Sequence, residues 1–172
     1  TGGVSYPTTG STGDGYAMAK TLGHTIVEPE GSLVPLETAG DDCQQMQGLS
    51  LRNVGVKLLN AKGKVLYKDF GELLFTHFGV SGPMVLSASA HIGKGDGWKI
   101  SIDLKPALEE GKLDDRILRD LEMYQNRSME NALTDLLPRS MIPVVLRRIG
   151  VEGSLQATSF TKQNRRALVV LL

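Results

Sequence analysis

The chain has 172 residues, 41% of them hydrophobic and 22% charged, and its 19 Lys and Arg balance 19 Asp and Glu. That composition suits a folded interior of one domain or two small ones, and the balanced charge argues against a long-range field that recruits nucleic acid or an anionic membrane surface. The single Cys43 excludes an internal disulfide and a cysteine-built zinc site, and no run approaches the ~18 apolar residues of a membrane span.

The chain opens without Met on Thr1-Gly2-Gly3 and stops in the apolar run Ala167-Leu168-Val169-Val170-Leu171-Leu172, so a piece of a longer protein is expected. Gly10-Ser11-Thr12-Gly13-Asp14-Gly15, followed by Tyr16 to Gly23, predicts a loop, a polar cap, two helical turns and a glycine stop. A short strand is expected at Thr25, Ile26 and Val27. Ser32 to Leu36 is a second extended stretch, in which Pro35 argues against a regular central strand. The polar stretch between Ala39 and Gln47 reads as a connection into a new unit.

There β signals take over. Val54, Val56 and Leu58 alternate with Gly55 and Lys57, Asn60-Ala61-Lys62-Gly63 supplies turn chemistry, and Lys64 to Asp69 returns as the second strand of a hairpin. Glu72 to Thr76 reads as a further short strand, and Trp98, Ile100, Ile102 and Leu104 alternate with Lys99, Ser101 and Asp103. From Leu113 the period becomes helical. Ile117, Leu118, Leu121 and Tyr124 form one face, with Asp114 and Asp115 at its start, and Met129, Ala132, Leu133 and Leu136 form a second. A third helix is expected from near Pro138 to Gly150, with Ile142, Val145, Leu146 and Ile149 inward, and Thr161 is expected to cap a last helix. The fold class is α+β: a small barrel or sandwich of short strands, then a helical bundle, behind a glycine-rich leader.

Glycine-rich segments serve where a backbone must approach a phosphate or a flat ring, because side chains obstruct the contact and free N–H groups must donate. Thr12-Gly13-Asp14-Gly15, opening a helix, has that character, and a plain capped helix after a loop accounts for the same spacing. Thr1-Gly2-Gly3, Tyr6-Pro7 and Gly10-Ser11-Thr12-Gly13-Asp14-Gly15-Tyr16-Ala17-Met18-Ala19 together resemble the second flavin-contact region of FAD-dependent oxidoreductases related to the fumarate reductase and succinate dehydrogenase flavoproteins. Gly71-Glu72-Leu73-Leu74-Phe75-Thr76-His77-Phe78-Gly79-Val80-Ser81-Gly82-Pro83, with Ser32-Leu33-Val34-Pro35-Leu36 upstream, resembles the hallmark of bacterial NAD(P)/FAD-dependent oxidoreductases of the aminoacetone-oxidase-like or bile-acid-reductase-like kind.

The resemblance implies a Rossmann-like FAD domain interrupted by an insert, made of a small translation-factor-like β-barrel and a helical subdomain. On it, residues 1–35 are a remnant of the FAD-binding domain, 36–108 the barrel and 109–172 the helical part. It assigns Gly2, Gly3, Thr12, Gly13, Asp14 and Gly15 to the FAD side, a flavin as the redox group with NAD(P)H or oxygen as the other redox partner, and a small-molecule substrate; the single Cys43 suits a reducing cytoplasm, and the balanced charge and few aromatics argue against nucleic-acid or membrane partners. The Gly-x-Gly-x-x-Gly turn and the later glycine-rich return that hold FAD are absent from these residues, so the piece alone is expected to be inactive and not to hold FAD tightly. His77, within the hallmark, is the candidate for moving protons near the flavin; hydrogen bonding at a strand end is its alternative role. Ser81-Gly82-Pro83 reads as an N-cap followed by Pro at a first helical position, and the Arg147-Arg148 and Arg165-Arg166 pairs as solvated helix surface. No metal-ligand pattern appears. A protein-binding or self-association module without a redox role is the competing reading.

Overall fold

The structure, a computed structural model, describes residues 3–172. Helix α1 (Asp14–Thr21) follows a 3-10 turn at Pro7–Thr9, and the two-residue β1 (Leu36–Glu37) begins immediately after Pro35. A short helix α2 (Asp42–Gln45) leads into β2 (Ser50–Leu59), β3 (Val65–Phe75) and β4 (Gly79–Ser81). Helix α3 (Pro83–Ser89) and strand β5 (Lys99–Asp103) precede α4 (Glu110–Met123), α5 (Met129–Ala132), α6 (Ile142–Arg148) and α7 (Lys162–Leu171).

All strand pairs are antiparallel, in the order β1-β4-β3-β2-β5, and the sheet curls into a half-barrel. Its edge strands β1 and β5 do not pair with each other, so the barrel expectation is met as an open sheet. The predicted hairpin forms, closed by Gly63 N–H donating to the Asn60 carbonyl at 2.9 Å and by Asn60 Oδ1 accepting from the Lys62 and Lys64 amides. Val54, Val56 and Leu58 point inward and are 3%, 1% and 0% exposed, as their alternation predicts. A bulge at Asn53, whose φ is +57°, shifts the register between Leu51 and Val54; the short polar side chain of Asn tolerates that left-handed conformation.

Several local expectations fail. Thr25 to Val27 form no strand, and Val27 is 87% exposed, because no neighbouring strand among the described residues offers hydrogen bonds. The separate strands read at Lys64 to Asp69 and Glu72 to Thr76 are one strand, β3, running through Gly71, where Met84 of α3 packs at 3.5 Å from the place of a Cβ. Helix α4 starts at Glu110 rather than near Asp114, and its buried face is Leu113, Ile117, Asp120 and Leu121, with Leu118 exposed. The second helix is a single turn, and the third starts at Ile142, the stretch after Pro138 being a turn closed by Met141 N–H on the Pro138 carbonyl. The last helix is as read: Thr161 Oγ1 accepts from the Asn164 amide at 3.1 Å.

One apolar cluster runs from the inner face of the sheet (Val56, Leu73, Phe75, Val80) through α3 (Met84, Val85) into the helices (Ile117, Met129, Leu133, Ile142, Leu146, Leu168). Burying each such large side chain contributes about 1.5–3 kcal/mol. The Leu104 amide, just past β5, donates to the Leu172 carbonyl at 2.8 Å, tying the end of the sheet to the end of α7.

Candidate functional site

The hallmark segment Gly71 to Pro83 folds as the end of β3, a tight turn through Thr76, His77 and Phe78, β4 and the start of α3. Thr76 and Gly79 close the turn: the Thr76 amide donates to the Gly79 carbonyl at 2.8 Å, and the Gly79 amide to Thr76 Oγ1 at 3.1 Å. His77 and Phe78 are its exposed tip, with the two rings edge to face at 4.9 Å. Among the described residues the His77 ring makes no hydrogen bond, so it is not the strand-end brace that its alternative role requires. Glu72 pairs with Arg52 at 3.5 Å, and among the described residues no hydrogen bond or ion pair joins it to His77.

The hallmark glycines serve backbone packing. A Cβ at Gly79 would stand 2.1 Å from the Leu36 carbonyl oxygen and 2.9 Å from the Thr38 nitrogen, so only glycine lets β1 lie against β4. Gly82 is the N-cap of α3, at φ 104° and ψ 165°, a region that only glycine occupies readily. Ser81 belongs to β4 and does not cap the helix; Pro83 takes the first helical position as expected.

In the leader, Gly13 is the N-cap of α1 and no side chain caps the helix, contrary to the polar cap expected there. The place of a Cβ at Gly13 is 2.7 Å from Val4 Cγ1 and 3.3 Å from the Tyr16 ring, and that of a Cβ at Gly3 is 3.8 Å from Tyr16 Oη. Thr12 Oγ1 donates to Asp14 Oδ1 at 3.0 Å. Gly15 is different: among the described residues nothing stands within 4 Å of its Cβ position. Thus Gly3 and Gly13 converge on Tyr16, Thr12 pairs with Asp14, and Gly15 opens outward. Gly2 lies outside the described residues. Among the described residues no hydrogen bond joins His77 to this segment.

Sequence reasoning missed the long-range ion pairs. Asp42 of α2 receives hydrogen bonds from Arg147 and from Arg148 Nε, the latter at 2.6 Å, and Arg165 of α7 grips Asp114 of α4 with two contacts of 2.6 and 3.1 Å. Arg147, Arg148 and Arg165, read as solvated surface, therefore clamp elements together, while Arg166 is exposed as expected. Partial burial would raise the Asp42 carboxyl, but the hydrogen bonds from Arg148 and Arg147 outweigh it and hold the group below the ordinary carboxylate range; the Arg165 hydrogen bond does the same for Asp114. Lys105 donates to the Leu136 carbonyl at 2.7 Å, and burial with the nearby Arg116 charge lowers its pKa.

Because both carboxyls are lowered on folding, their contribution is complete above the unfolded value of about 4 and is lost as pH falls through the folded values. The urea midpoint of the chain is expected to fall on acidification below about pH 4, and that of Asp42→Asn to fall less steeply. Parallel profiles for the two proteins would show that the Asp42 clamp carries none of the acid sensitivity.

Fold and site define a class: an antiparallel half-barrel and a set of short helices sharing one core, with a glycine-dependent hairpin leading into α3. The chain belongs to the family described as HI0933-like protein barrel and H2TH domain, which matches residues 30–172. It is 30% identical over 149 residues to the 3-dehydro-bile acid delta(4,6)-reductase of Clostridium scindens, covering 84% of this chain and 36% of that protein. It is 31% identical over 142 residues to the ribosomal RNA dihydrouridine synthase of Haemophilus influenzae, covering 83% of this chain and 33% of that protein. With the ribosomal RNA dihydrouridine synthase of Escherichia coli it shares 26% identity over 175 residues, covering 100% of this chain and 41% of that protein. The chain thus spans between a third and about two fifths of the length of these curated relatives. Among the described residues no helix is long and apolar enough to cross a membrane.

Proposed function

We propose that this chain is the barrel-and-helix insert of an FAD-dependent reductase that saturates a carbon–carbon double bond conjugated to a carbonyl. The observation that carries the reading is the chemistry shared by the relatives' names. A 3-oxo steroid with 4,6 double bonds and a uridine ring both present an alkene in conjugation with a carbonyl, and both become saturated by a hydride equivalent at the far carbon and a proton at the near one. A flavin, reduced by NAD(P)H, supplies that hydride chemistry when bound.

In this reading residues 1–35 belong to the FAD-binding domain, 36–108 to the barrel and 109–172 to the helical part. Tyr6, Met18, Leu22, Val27 and Leu33 are between 57% and 87% exposed, which suits residues that the rest of an FAD domain covers. The leader fits one edge of the cofactor. Thr12, Asp14 and the open Gly15 line the exposed N-terminus of α1, where free N–H groups favour an anionic phosphate, while Val4 and Tyr16 fill the space beside Gly13 where a Cβ would stand. Contacts to the remainder of FAD come from elsewhere in the whole protein. His77, at the exposed tip of a rigid turn, is the group that holds or moves a proton at the substrate carbonyl.

The test is anaerobic turnover of the whole protein with FAD and NAD(P)H on a 3-oxo-4-ene steroid and on single-stranded RNA, followed by mass spectrometry for the gain of two hydrogens. Gain on neither substrate refutes the reading. In the same assay His77→Gln is expected to lower turnover while FAD content and melting temperature stay unchanged, since the exposed ring makes no hydrogen bond or ion pair among the described residues. Equal turnover in the two proteins would remove His77 from the chemistry.

A further inference from the structure

The outer face of the half-barrel carries a feature that the fold does not need. Lys57 of β2 stands directly opposite Lys68 of β3, and Phe70, 59% exposed, stands opposite Gly55. Like charges facing each other across a strand pair are destabilising. Gly55 adds no side chain, so Phe70 borders an open groove of about 300 Å³ walled also by Lys57, Lys68, Ser101 and Asp103. Lys99 of β5 lies beside Leu59 on the same face, and Lys62 and Lys64 continue the positive track into the hairpin turn.

The nearby acids are engaged by the protein itself. Asp69 accepts from Tyr67 Oη and the Phe70 amide, Glu72 pairs with Arg52, and one oxygen of Asp103 accepts from the Lys105 amide. Among the described residues no ion pair joins Lys57, Lys68 or Lys99 to a carboxylate. A neutral total charge averages over faces, and this face is not neutral.

We propose that the outer face of β2, β3 and β5 binds single-stranded RNA, with Phe70 stacking on a base in the Gly55 groove and Lys57 and Lys68 holding the adjoining phosphates. An anion between the two lysines removes their mutual repulsion, and an exposed phenylalanine offers every base a flat apolar surface. Asp103, on the far side of Gly55, is placed to accept from a base N–H such as N3–H of uracil. The proposal rests on the uridine branch of the reading above and names the surface that delivers such a substrate.

The experiment is fluorescence anisotropy of the 172-residue chain with a labelled oligouridine of about 12 nucleotides, between about 50 and 200 mM salt. Binding is expected, weakened roughly tenfold by Phe70→Ala and restored by Phe70→Tyr. The variant carrying Lys57→Gln and Lys68→Gln is expected to flatten the slope of log affinity against log salt by ~1.4, at ~0.7 per phosphate contact. Lys112→Gln, on α4, is the control and should change nothing. Absence of binding at the lowest salt overturns the proposal, as does binding indifferent to Phe70→Ala and to the double lysine change. Equal affinity for heparin, insensitive to Phe70, would make the face a general polyanion patch and also overturns it. RNA binding as described, with no reduction of uridine by the whole protein, keeps the surface and refutes the uridine reading; uridine reduction unaffected by Phe70→Ala does the reverse.

Discussion

Gly79→Val is expected to destabilise the chain by about 3 kcal/mol or more, lowering its melting temperature by roughly 6–12 °C. The cause is contact with immovable atoms. The new Cβ would lie 2.1 Å from the Leu36 carbonyl oxygen, 2.9 Å from the Thr38 nitrogen and 3.0 Å from the Glu37 α-carbon, all of them backbone. No rotamer change relieves such a clash, so β1 must leave β4. With it go the pairs Leu36 with Val80 and Glu37 with Gly79, and the hydrogen bond from the Thr38 amide to the Phe78 carbonyl. The turn that carries His77 would then lose its support on one side. Gly63→Ala is the matched control: its φ is +77° and its Cβ position is open, so only backbone strain of about 1 kcal/mol is expected. Thermal melts followed by circular dichroism compare the two directly. Equal small shifts would mean that β1 is not held against β4 in solution.

Gly15→Leu is expected to lower FAD retention by the whole protein on the order of 10- to 100-fold while leaving its fold intact. The substitution is suited to the question because, among the described residues, the Gly15 Cβ position has no neighbour within 4 Å, so the added side chain meets no described part of this chain. A charge-assisted hydrogen bond between a helix N-terminus and a phosphate is worth about 1.5–3 kcal/mol, which sets the expected range. Gly13→Val is a poorer probe. Its Cβ would press on Val4 Cγ1 at 2.7 Å, and its φ of +82° disfavours any branched residue, so a loss of FAD there could follow from local unfolding. Gel filtration with a flavin absorbance ratio reads the outcome. Full retention by Gly15→Leu, with an unchanged melting temperature, would exclude the leader helix from the cofactor site.

Local patterns were legible in the amino-acid sequence where a short stretch decides its own structure. The alternation in β2 and β5, the Asn60 to Gly63 turn, the Thr161 cap, the stop at Gly150 and the exclusion of Pro35 from a regular strand all depend on neighbours a few residues away, and all appear in the structure. The family resemblance carried by Gly71 to Pro83 likewise agrees with the match over residues 30–172. Element lengths were less legible: β3 runs through Gly71 because β2 and α3 cover it on two sides, and Thr25 to Val27 stay irregular because no strand among the described residues lies beside them.

What only the tertiary structure decided is every feature made by residues far apart in the chain. The sheet order brings β1 beside β4 and β5 beside β2, and neither neighbour follows from proximity in sequence. From that order come the need for glycine at position 79 and the opposition of Lys57 and Lys68 beside Phe70; the packing of α6 near α2 turns Arg147 and Arg148 from helix surface into a clamp on Asp42. Periodicity reports which side of an element is buried, because burial repeats along a single segment. It carries no information on which other segment does the burying, since that choice depends on the free energy of the whole packed core.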